Sequence, residues 1–213
     1  MRVVETLKKA YPGAHCELDH SSPLQLLVAT ILSAQCTDKR VNMVTPALFK
    51  KYRTAKDFAD APQEALEQEI KSTGFFRNKA KSIRACCKTL IERHGGQVPR
   101  TMDELTAMEG VGRKTANVVL GNAFNISVGV VVDTHVARLS QRLGLSRESH
   151  PEKIEQDLMK LIPAGDWTLI SHLLIFHGRQ RCFARKPDCA NCEVRKLCPQ
   201  TGVTRSTTAQ ARP

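Results

Sequence analysis

Four cysteines are crowded into a 17-residue stretch near the end of the chain: Cys182, Cys189, Cys192 and Cys198. Thiolates at this density are typical ligands of zinc or of an iron–sulfur cluster. Zinc ribbons usually contain two C-x2-C pairs, whereas this segment contains one, and its longer outer gaps suit ligands around a larger object. The pattern predicts a metal centre. The other four cysteines lie in periodic segments and are interpreted as buried apolar residues.

Two glycines, Gly110 and Gly112, stand one residue apart between a short helical segment and an apolar-faced helix. The N–H groups that open the second helix lack internal partners and carry partial positive charge, so a phosphate suits this turn. A purely structural turn between two helices explains the same pattern equally well. No predicted strand precedes the glycines, which excludes a Rossmann or P-loop nucleotide site.

Lys114 follows this turn, and Asp133 opens a later helix. An unprotonated lysine amine can attack an electrophilic carbon and form a Schiff base. The helix N-terminus, Arg113 and partial enclosure are expected to disfavour the ammonium form of Lys114, although a solvated, phosphate-binding lysine is the plainer alternative. Asp133 suits both a helix N-cap and a fixed carboxylate that stabilises positive charge and relays protons. His135 is a further candidate for this pocket, with ordinary packing as its alternative.

Helical periodicity covers nearly the whole chain and predicts an all-α fold. Helix starts are indicated at Ser22-Pro23, at Thr37-Asp38, at residues 61–64 and at residues 101–104. A long helix is expected over residues 78–93, and later ones over residues 133–143, 151–161 and 166–177. The β-branched run at residues 128–132 is interpreted as a short buried connector in preference to a strand.

The chain of 213 residues carries 32 Lys and Arg against 21 Asp and Glu, a net charge of +11. This excess favours a polyanionic partner, with nucleic acid ahead of an anionic membrane surface. Aromatic residues make up only 5%, which argues against a single-strand stacking platform and for a duplex binder. No apolar stretch is long enough to cross a bilayer and no export signal is evident at the N-terminus, so the expected location is cytoplasmic.

The chain resembles the endonuclease III family of helix-hairpin-helix DNA glycosylases. The resemblance runs from about residue 21 to Cys198 and rests on motifs that occur in the family's order. These are Leu-Ser-Ala-Gln-Cys-Thr-Asp at residues 32–38, Gly-Val-Gly-Arg-Lys-Thr-Ala-Asn-Val-Val-Leu at 110–120, Val-Asp-Thr-His-Val at 132–136, and the four cysteines. One departure is Glu109, where the family usually has proline, and it places an acid beside the phosphate-facing turn.

The resemblance implies a two-lobed helix-hairpin-helix glycosylase fold. A six-helix barrel lobe is expected over residues 21–127, an iron–sulfur cluster lobe over residues 1–20 and 128–198, and a flexible tail over residues 199–213. The implied activity is that of a bifunctional DNA glycosylase and abasic-site lyase of base excision repair. Such an enzyme removes oxidised pyrimidines from double-stranded damaged DNA, flips the base out of the duplex and cleaves by β-elimination. It is expected to be a nucleoid-associated monomer that does not bind membranes.

The resemblance also assigns roles to residues of this chain. Lys114 is the expected nucleophile, Asp133 the assisting carboxylate, and the four cysteines the ligands of a 4Fe-4S cluster. Gln35 is expected to enter the base stack, and Phe76, from the pair Phe75-Phe76, to wedge into the opposite strand, with core packing as its alternative. The remaining expected DNA contacts are Gly110, Gly112, Arg113, Thr115, His135, Arg185 and Lys186.

Two rival functions remain at this stage. An adenine glycosylase of the same superfamily acts through a glutamate in the first barrel helix and lacks the nucleophilic lysine, and this sequence has no carboxylate between Leu24 and Thr37. The other rival is a non-catalytic iron–sulfur module that binds DNA or senses redox state. Covalent trapping to abasic DNA distinguishes a lyase from both.

Overall fold

The computed structural model describes residues 1–203, and no strand occurs among them. Eleven α-helices account for the fold of this part of the chain, in agreement with the all-α prediction: α1 Arg2–Ala10, α2 Pro23–Leu32, α3 Asp38–Lys51, α4 Ala55–Asp60, α5 Gln63–Ile70, α6 Phe76–His94, α7 Met102–Thr106, α8 Arg113–Ala123, α9 Thr134–Arg142, α10 Pro151–Leu161 and α11 Trp167–Gln180. Short 3-10 turns occur at Lys71–Thr73, Ala164–Asp166 and Arg195–Leu197.

The helix starts predicted from capping residues are confirmed. The side chains of Ser22, Thr37 and Thr101 accept hydrogen bonds from backbone N–H groups three residues later, at 3.2, 3.2 and 3.3 Å. These bonds pair amide groups that the helix itself leaves unpaired. Helix α4 was not predicted, yet it begins with a complete capping box formed by Thr54 and Asp57.

The described residues divide into two compact units, each with its own apolar core. The hairpin unit comprises Cys16–Val128, and fully buried side chains in its core include Leu27, Phe58, Leu66, Ile83 and Leu120. The cysteine unit comprises Met1–His15 and the described residues from Gly129 onward, with Leu7, Leu139, Leu158 and Leu173 in its core. Each buried side chain of this size stabilises the fold by about 1.5–3 kcal/mol, so both units hold their surface groups on rigid helices.

Residues 128–132 form a connector without strand pairing, and Val130 is 1% exposed. The interpretation of this run as a buried connector is therefore confirmed. Of the expected tail, residues 204–213 lie outside the described part of the chain. Thr201 N–H donates to the Arg142 carbonyl at 3.3 Å. None of the described helices combines the length and the apolar character needed to cross a membrane.

Candidate active site and metal centre

The glycine turn connects α7 to α8 and has one obligatory glycine. Gly110 has a φ of +79°, and a Cβ atom there would lie 2.6 Å from Cβ of Ser82, so both its conformation and its surroundings require glycine. Gly112 is different, because it has a φ of −87° and serves as the N-cap of α8. No described atom lies within 4 Å of a Cβ built at Gly112. The start of α8 therefore leaves room for a partner to approach its amide groups.

The side chains at the start of α8 differ in exposure. Arg113 and Lys114 are exposed, whereas Thr115 is half-buried. The sequence interpretation expected partial enclosure of Lys114, and the structure leaves this amine open to solvent instead. Glu109, the acid at the family's proline position, lies 3.9 Å from the ammonium of Lys81. This ion pair partly offsets the negative charge that Glu109 brings to the turn.

Asp133 is the N-cap of α9, as predicted. Its Oδ1 accepts a 2.8 Å hydrogen bond from the backbone N–H of Val136, which fixes the half-buried carboxylate at the helix start. His135, two residues further, is packed: its Nδ1 accepts a 3.2 Å hydrogen bond from Arg138, and a Cβ at Gly178 would lie 2.7 Å from that nitrogen. His135 is half-buried and hydrogen-bonded, and its contact with DNA stays a prediction.

Two exposed side chains stand on turns with unusual backbone conformation. Gln35 follows α2 and has a φ of +52°, and Phe75 precedes α6 and has a φ of +49°. Phe75 is 61% exposed, whereas Phe76 is half-buried and packs against the core of the hairpin unit. Of the two phenylalanines, Phe75 therefore has the more exposed side chain, and the predicted role of Phe76 as a wedge stays a prediction. The sequence did not distinguish the two rings, because their exposure depends on α6 beginning at Phe76 and not at the predicted residue 78.

Lys79 is a residue that the sequence interpretation missed. It lies on the buried face of α6 and is only 4% exposed, and its ammonium donates to the carbonyl oxygens of Leu32 and Thr73, both at 2.8 Å. Burial lowers the pKa of Lys79. The sequence offered one indication that Lys79 is buried: its position in the helical repeat places it on the same face of α6 as the apolar residues Ala80, Ile83 and Cys87.

The four cysteines of the crowded segment line a single cavity together with Arg142 and His177. None of the eight cysteines, all within the described residues, forms a disulfide. Burial raises the pKa of Cys192 to about 11 and also raises that of Cys198. Thiols in this setting ionise only when a cation offsets the charge, so the donor set fits a metal site.

Arg142 anchors the segment that carries the cysteines. Its guanidinium donates to Sγ of Cys182 at 3.3 Å, to the carbonyl of Phe183 at 2.7 Å and to that of Ala184 at 2.9 Å. Arg185 and Lys186, the next two residues, are exposed. Arg185 and Lys186 are therefore two solvent-exposed cations on a loop whose preceding residues are held by Arg142.

Arg181 lies just before this loop, and its guanidinium has internal partners. It forms ion pairs with Asp188 at 2.8 Å and with Glu193 at 3.2 Å. The charge of Arg181 is therefore paired with two carboxylates of the cysteine unit.

His177 connects the metal site to helix α1. It is 1% exposed, its Nδ1 lies 2.8 Å from the Tyr11 hydroxyl, and its Nε2 lies 3.5 Å from Sγ of Cys192. His177, Cys192 and Glu193 offer ligand atoms within 4.8 Å of one another. However, the hydroxyl of Tyr11 occupies one ring nitrogen and Arg181 occupies the Glu193 carboxylate. The four-cysteine set is the better match to a metal centre.

Comparisons with known proteins agree with this geometry. Residues 28–164 match the family model described as HhH-GPD superfamily base excision DNA repair protein. Endonuclease III of Synechocystis sp. is 58% identical over 193 residues, which cover 91% of this chain and 88% of the relative. The structure of a non-covalent endonuclease III–DNA complex has a TM-score of 0.89 and 48% identity over 93% of both chains. A trapped endonuclease III–DNA covalent intermediate, an estranged-adenine complex, has a TM-score of 0.88 and 48% identity over 92% of both chains.

The helix-hairpin-helix turn, the all-helical fold and the family match define the class: the chain is a base excision DNA repair protein of the HhH-GPD superfamily. Within this superfamily the chain belongs to the endonuclease III family, because it is 48–58% identical to members of that family over more than nine tenths of its length. Both the predicted family and the predicted class of enzyme, a bifunctional DNA glycosylase and abasic-site lyase, are confirmed.

Proposed function

We propose that this enzyme removes oxidised pyrimidines from double-stranded DNA and cleaves the abasic site by β-elimination, with Lys114 as its nucleophile. The observation that carries the assignment is the position of Lys114, an exposed amine in the first turn of α8. It stands beside Arg113 at the start of α8, where the helix amide groups suit a DNA phosphate. The similar endonuclease III that was trapped as a covalent intermediate with DNA supports a covalent route.

The proposed reaction proceeds through a Schiff base. The unprotonated Nζ of Lys114 attacks C1′ of the damaged nucleoside, and the bond from C1′ to the base breaks, so that the base leaves with the electron pair and takes up a proton. The sugar ring then opens to give the C1′=Nζ Schiff base. Removal of a proton from C2′ expels the 3′ phosphate, which breaks the strand, and water finally releases the lysine.

Asp133 is the proposed partner of this amine. A carboxylate at the start of α9, fixed by its bond to Val136 N–H, keeps its position while charge changes nearby. It stabilises the positive charge that develops on the sugar, and it accepts and returns the proton of the lysine amine. The capping bond and the catalytic role are compatible, because the second carboxylate oxygen is not needed for the cap.

The substrate is proposed to be a duplex, with the base flipped out and the gap filled by protein side chains. Gln35 supplies an amide that can hydrogen-bond the orphaned partner base, and an aromatic ring of the Phe75-Phe76 pair wedges into the opposite strand. The exposed ring of Phe75 supports that residue over Phe76. We propose that the enzyme acts as a nucleoid-associated monomer, which sedimentation with and without DNA can check.

We propose further that Cys182, Cys189, Cys192 and Cys198 hold a 4Fe-4S cluster. The support is the cavity that all four line and the spacing shared with the family. When bound, the cluster supplies iron–thiolate bonds that cross-link the segment, and hydrolysis and elimination require no net electron transfer from it. Purified protein should be brown, with broad absorbance near ~400 nm and about four irons per chain. A colourless protein with one zinc would refute the cluster.

Borohydride trapping tests the proposed activity. The protein is incubated with duplex DNA that contains either an oxidised pyrimidine or an abasic site, and the Schiff base is reduced to a stable cross-link. A cross-link and a cleaved strand on both substrates are expected. An adenine-type glycosylase would release only a base and leave the strand intact, and a non-catalytic binder would do neither.

A further inference from the structure

One buried ammonium joins two turns of the hairpin unit that are far apart in sequence. Nζ of Lys79 donates to the carbonyl of Leu32 and to the carbonyl of Thr73, each at 2.8 Å, while the side chain is 4% exposed. A charged group is costly to bury, and these bonds are what compensate the cost. A lysine at this core position therefore does something that an apolar residue would not.

Both carbonyls lie at the C-terminal ends of helical segments. Leu32 is the last residue of α2, and Thr73 is the last residue of the 3-10 turn Lys71–Thr73. Terminal carbonyls lack partners within their own helix and carry partial negative charge, so an ammonium is well suited to them. Lys79 thus caps two helical segments at once and fixes the distance between their ends.

Each capped carbonyl is followed closely by a residue in the left-handed region. Gln35 comes three residues after Leu32, and Phe75 comes two residues after Thr73; their φ values are +52° and +49°. This conformation is strained for residues with a Cβ atom, and strain persists where the surroundings enforce it. The backbone N–H of Lys79 donates to the Phe75 carbonyl at 3.1 Å, but this is the first i→i−4 bond of α6 and does not depend on the side chain. The ammonium of Lys79 therefore links the two segments that lead into the strained turns.

We propose that Lys79 is a positioning residue that holds Gln35 and Phe75 ready to enter the DNA duplex together. This rests on the proposed function, in which both side chains fill the space of a flipped base. Without the ammonium, each turn is free to leave its strained conformation. The side chains would then have to be ordered again at each binding event, which opposes insertion. Lys79 itself touches neither the DNA nor the reacting atoms.

The test compares two reactions of the same variant. Lys79→Met keeps the length of the side chain and removes the donors. For this variant the ratio of lesion excision from duplex DNA to cleavage at a preformed abasic site should fall by about tenfold or more. Gln35→Ala and Phe75→Ala should lower the same ratio. Leu90→Ala is the matched control, because Leu90 is buried on the same face of α6 and none of the Lys79 bonds depends on it.

A spectroscopic measurement follows the positioning directly. In a Lys114→Gln background, 2-aminopurine opposite a stable abasic analogue should fluoresce on binding as it is unstacked, and Lys79→Gln should reduce that rise. Lys79→Gln keeps a neutral NH₂ donor group on a shorter side chain and serves if the methionine variant does not fold. An unchanged ratio and an unchanged fluorescence rise would overturn the proposal, as would an equal fall of the ratio in Leu90→Ala. Wild-type protein that excises no base would instead count against the proposed function.

Discussion

Helices α8 and α9 begin in opposite ways. The N-cap of α8 is Gly112, and no described side chain caps this helix. The N-cap of α9 is Asp133, whose carboxylate accepts from the Val136 amide at 2.8 Å. The start of α8 therefore has no side-chain cap, whereas the start of α9 pairs one of its amide groups with the carboxylate of its own N-cap residue. The two helix starts therefore differ in charge: α8 begins at the turn that we propose binds a DNA phosphate, and α9 begins at a fixed carboxylate.

The side chains that follow deepen this contrast. Arg113 and Lys114 add positive charge to the open start of α8, where an anion bound from outside would be favoured. Arg138, behind the start of α9, is engaged with His135 and with the carbonyls of Gly178 and Cys182. The start of α8 is therefore the one that we propose binds DNA, whereas side chains at the start of α9 are held by internal hydrogen bonds.

The largest expected loss of activity comes from removing the amine of Lys114 at the start of α8. Lys114→Gln should abolish borohydride trapping and reduce strand cleavage to the background rate, because no other group is proposed to form the Schiff base. Since Lys114 is exposed, the free energy of unfolding should change by less than ~0.5 kcal/mol. Gel-based trapping and thermal unfolding measure the two quantities. Retained cross-linking would remove Lys114 from the mechanism.

The next largest effect tests whether Asp133 has a catalytic role in addition to capping α9. Asp133→Asn keeps an N-cap side chain and loses the charge, so turnover should fall by roughly 10²–10⁴-fold while stability changes by less than ~1 kcal/mol. Asp133→Ala is the control, since it should lose both turnover and about 1 kcal/mol of stability. Single-turnover kinetics measures the change in turnover, and chemical unfolding measures the change in stability, for both variants. Near-normal turnover in Asp133→Asn would leave Asp133 with a structural role alone.

Local signals explain what could be predicted from the sequence. Ser22, Thr37, Thr101 and Asp133 are capping residues that act on amides three positions away, so their effect is visible in a short stretch of sequence. The cysteine spacing is local in the same sense. The family resemblance then supplied roles for Lys114 and Asp133, which residue types alone left open.

Long-range contacts explain what could not be predicted. The bond from Lys79 to the Leu32 carbonyl spans 47 residues, and no local pattern indicates its partner. The same holds for Arg142, whose bonds to the cysteine segment span about 40 residues. The choice between Phe75 and Phe76 depended on where α6 begins, because the helix phase decides which ring is buried. Helix boundaries are the least certain feature of a sequence pattern.

A third variant separates side-chain charge from helix amide groups in DNA binding. Changing both Arg185 and Lys186 to Gln should lower the slope of log K against log salt by up to ~2, at about 0.9 per lost phosphate contact, or roughly 30-fold in affinity near 0.15 M salt. Lesion preference should not change, because phosphate contacts carry no sequence information. Titrations at several salt concentrations measure the slope. A slope equal to that of the wild type would place these two cations away from DNA.

The smallest effect is expected from giving α8 the cap that α9 has. Gly112 already has the extended conformation of an N-cap, with φ −87° and ψ 172°, and a Cβ there meets no described atom within 4 Å, so aspartate fits without strain. Gly112→Asp should therefore raise stability by a few tenths of a kcal/mol, because aspartate caps better than glycine. It should also weaken DNA binding by about tenfold, since the carboxylate takes the place of the phosphate and repels it.

Gly112→Ser supplies a neutral cap at the same position. It should give a similar gain in stability with a smaller loss of affinity, because the hydroxyl occupies an amide but adds no charge. Thermal unfolding and salt-matched titrations on abasic duplex compare the three proteins. If the aspartate variant binds as tightly as the wild type, the start of α8 does not hold a phosphate, and the contrast between the two helix starts is one of stability alone.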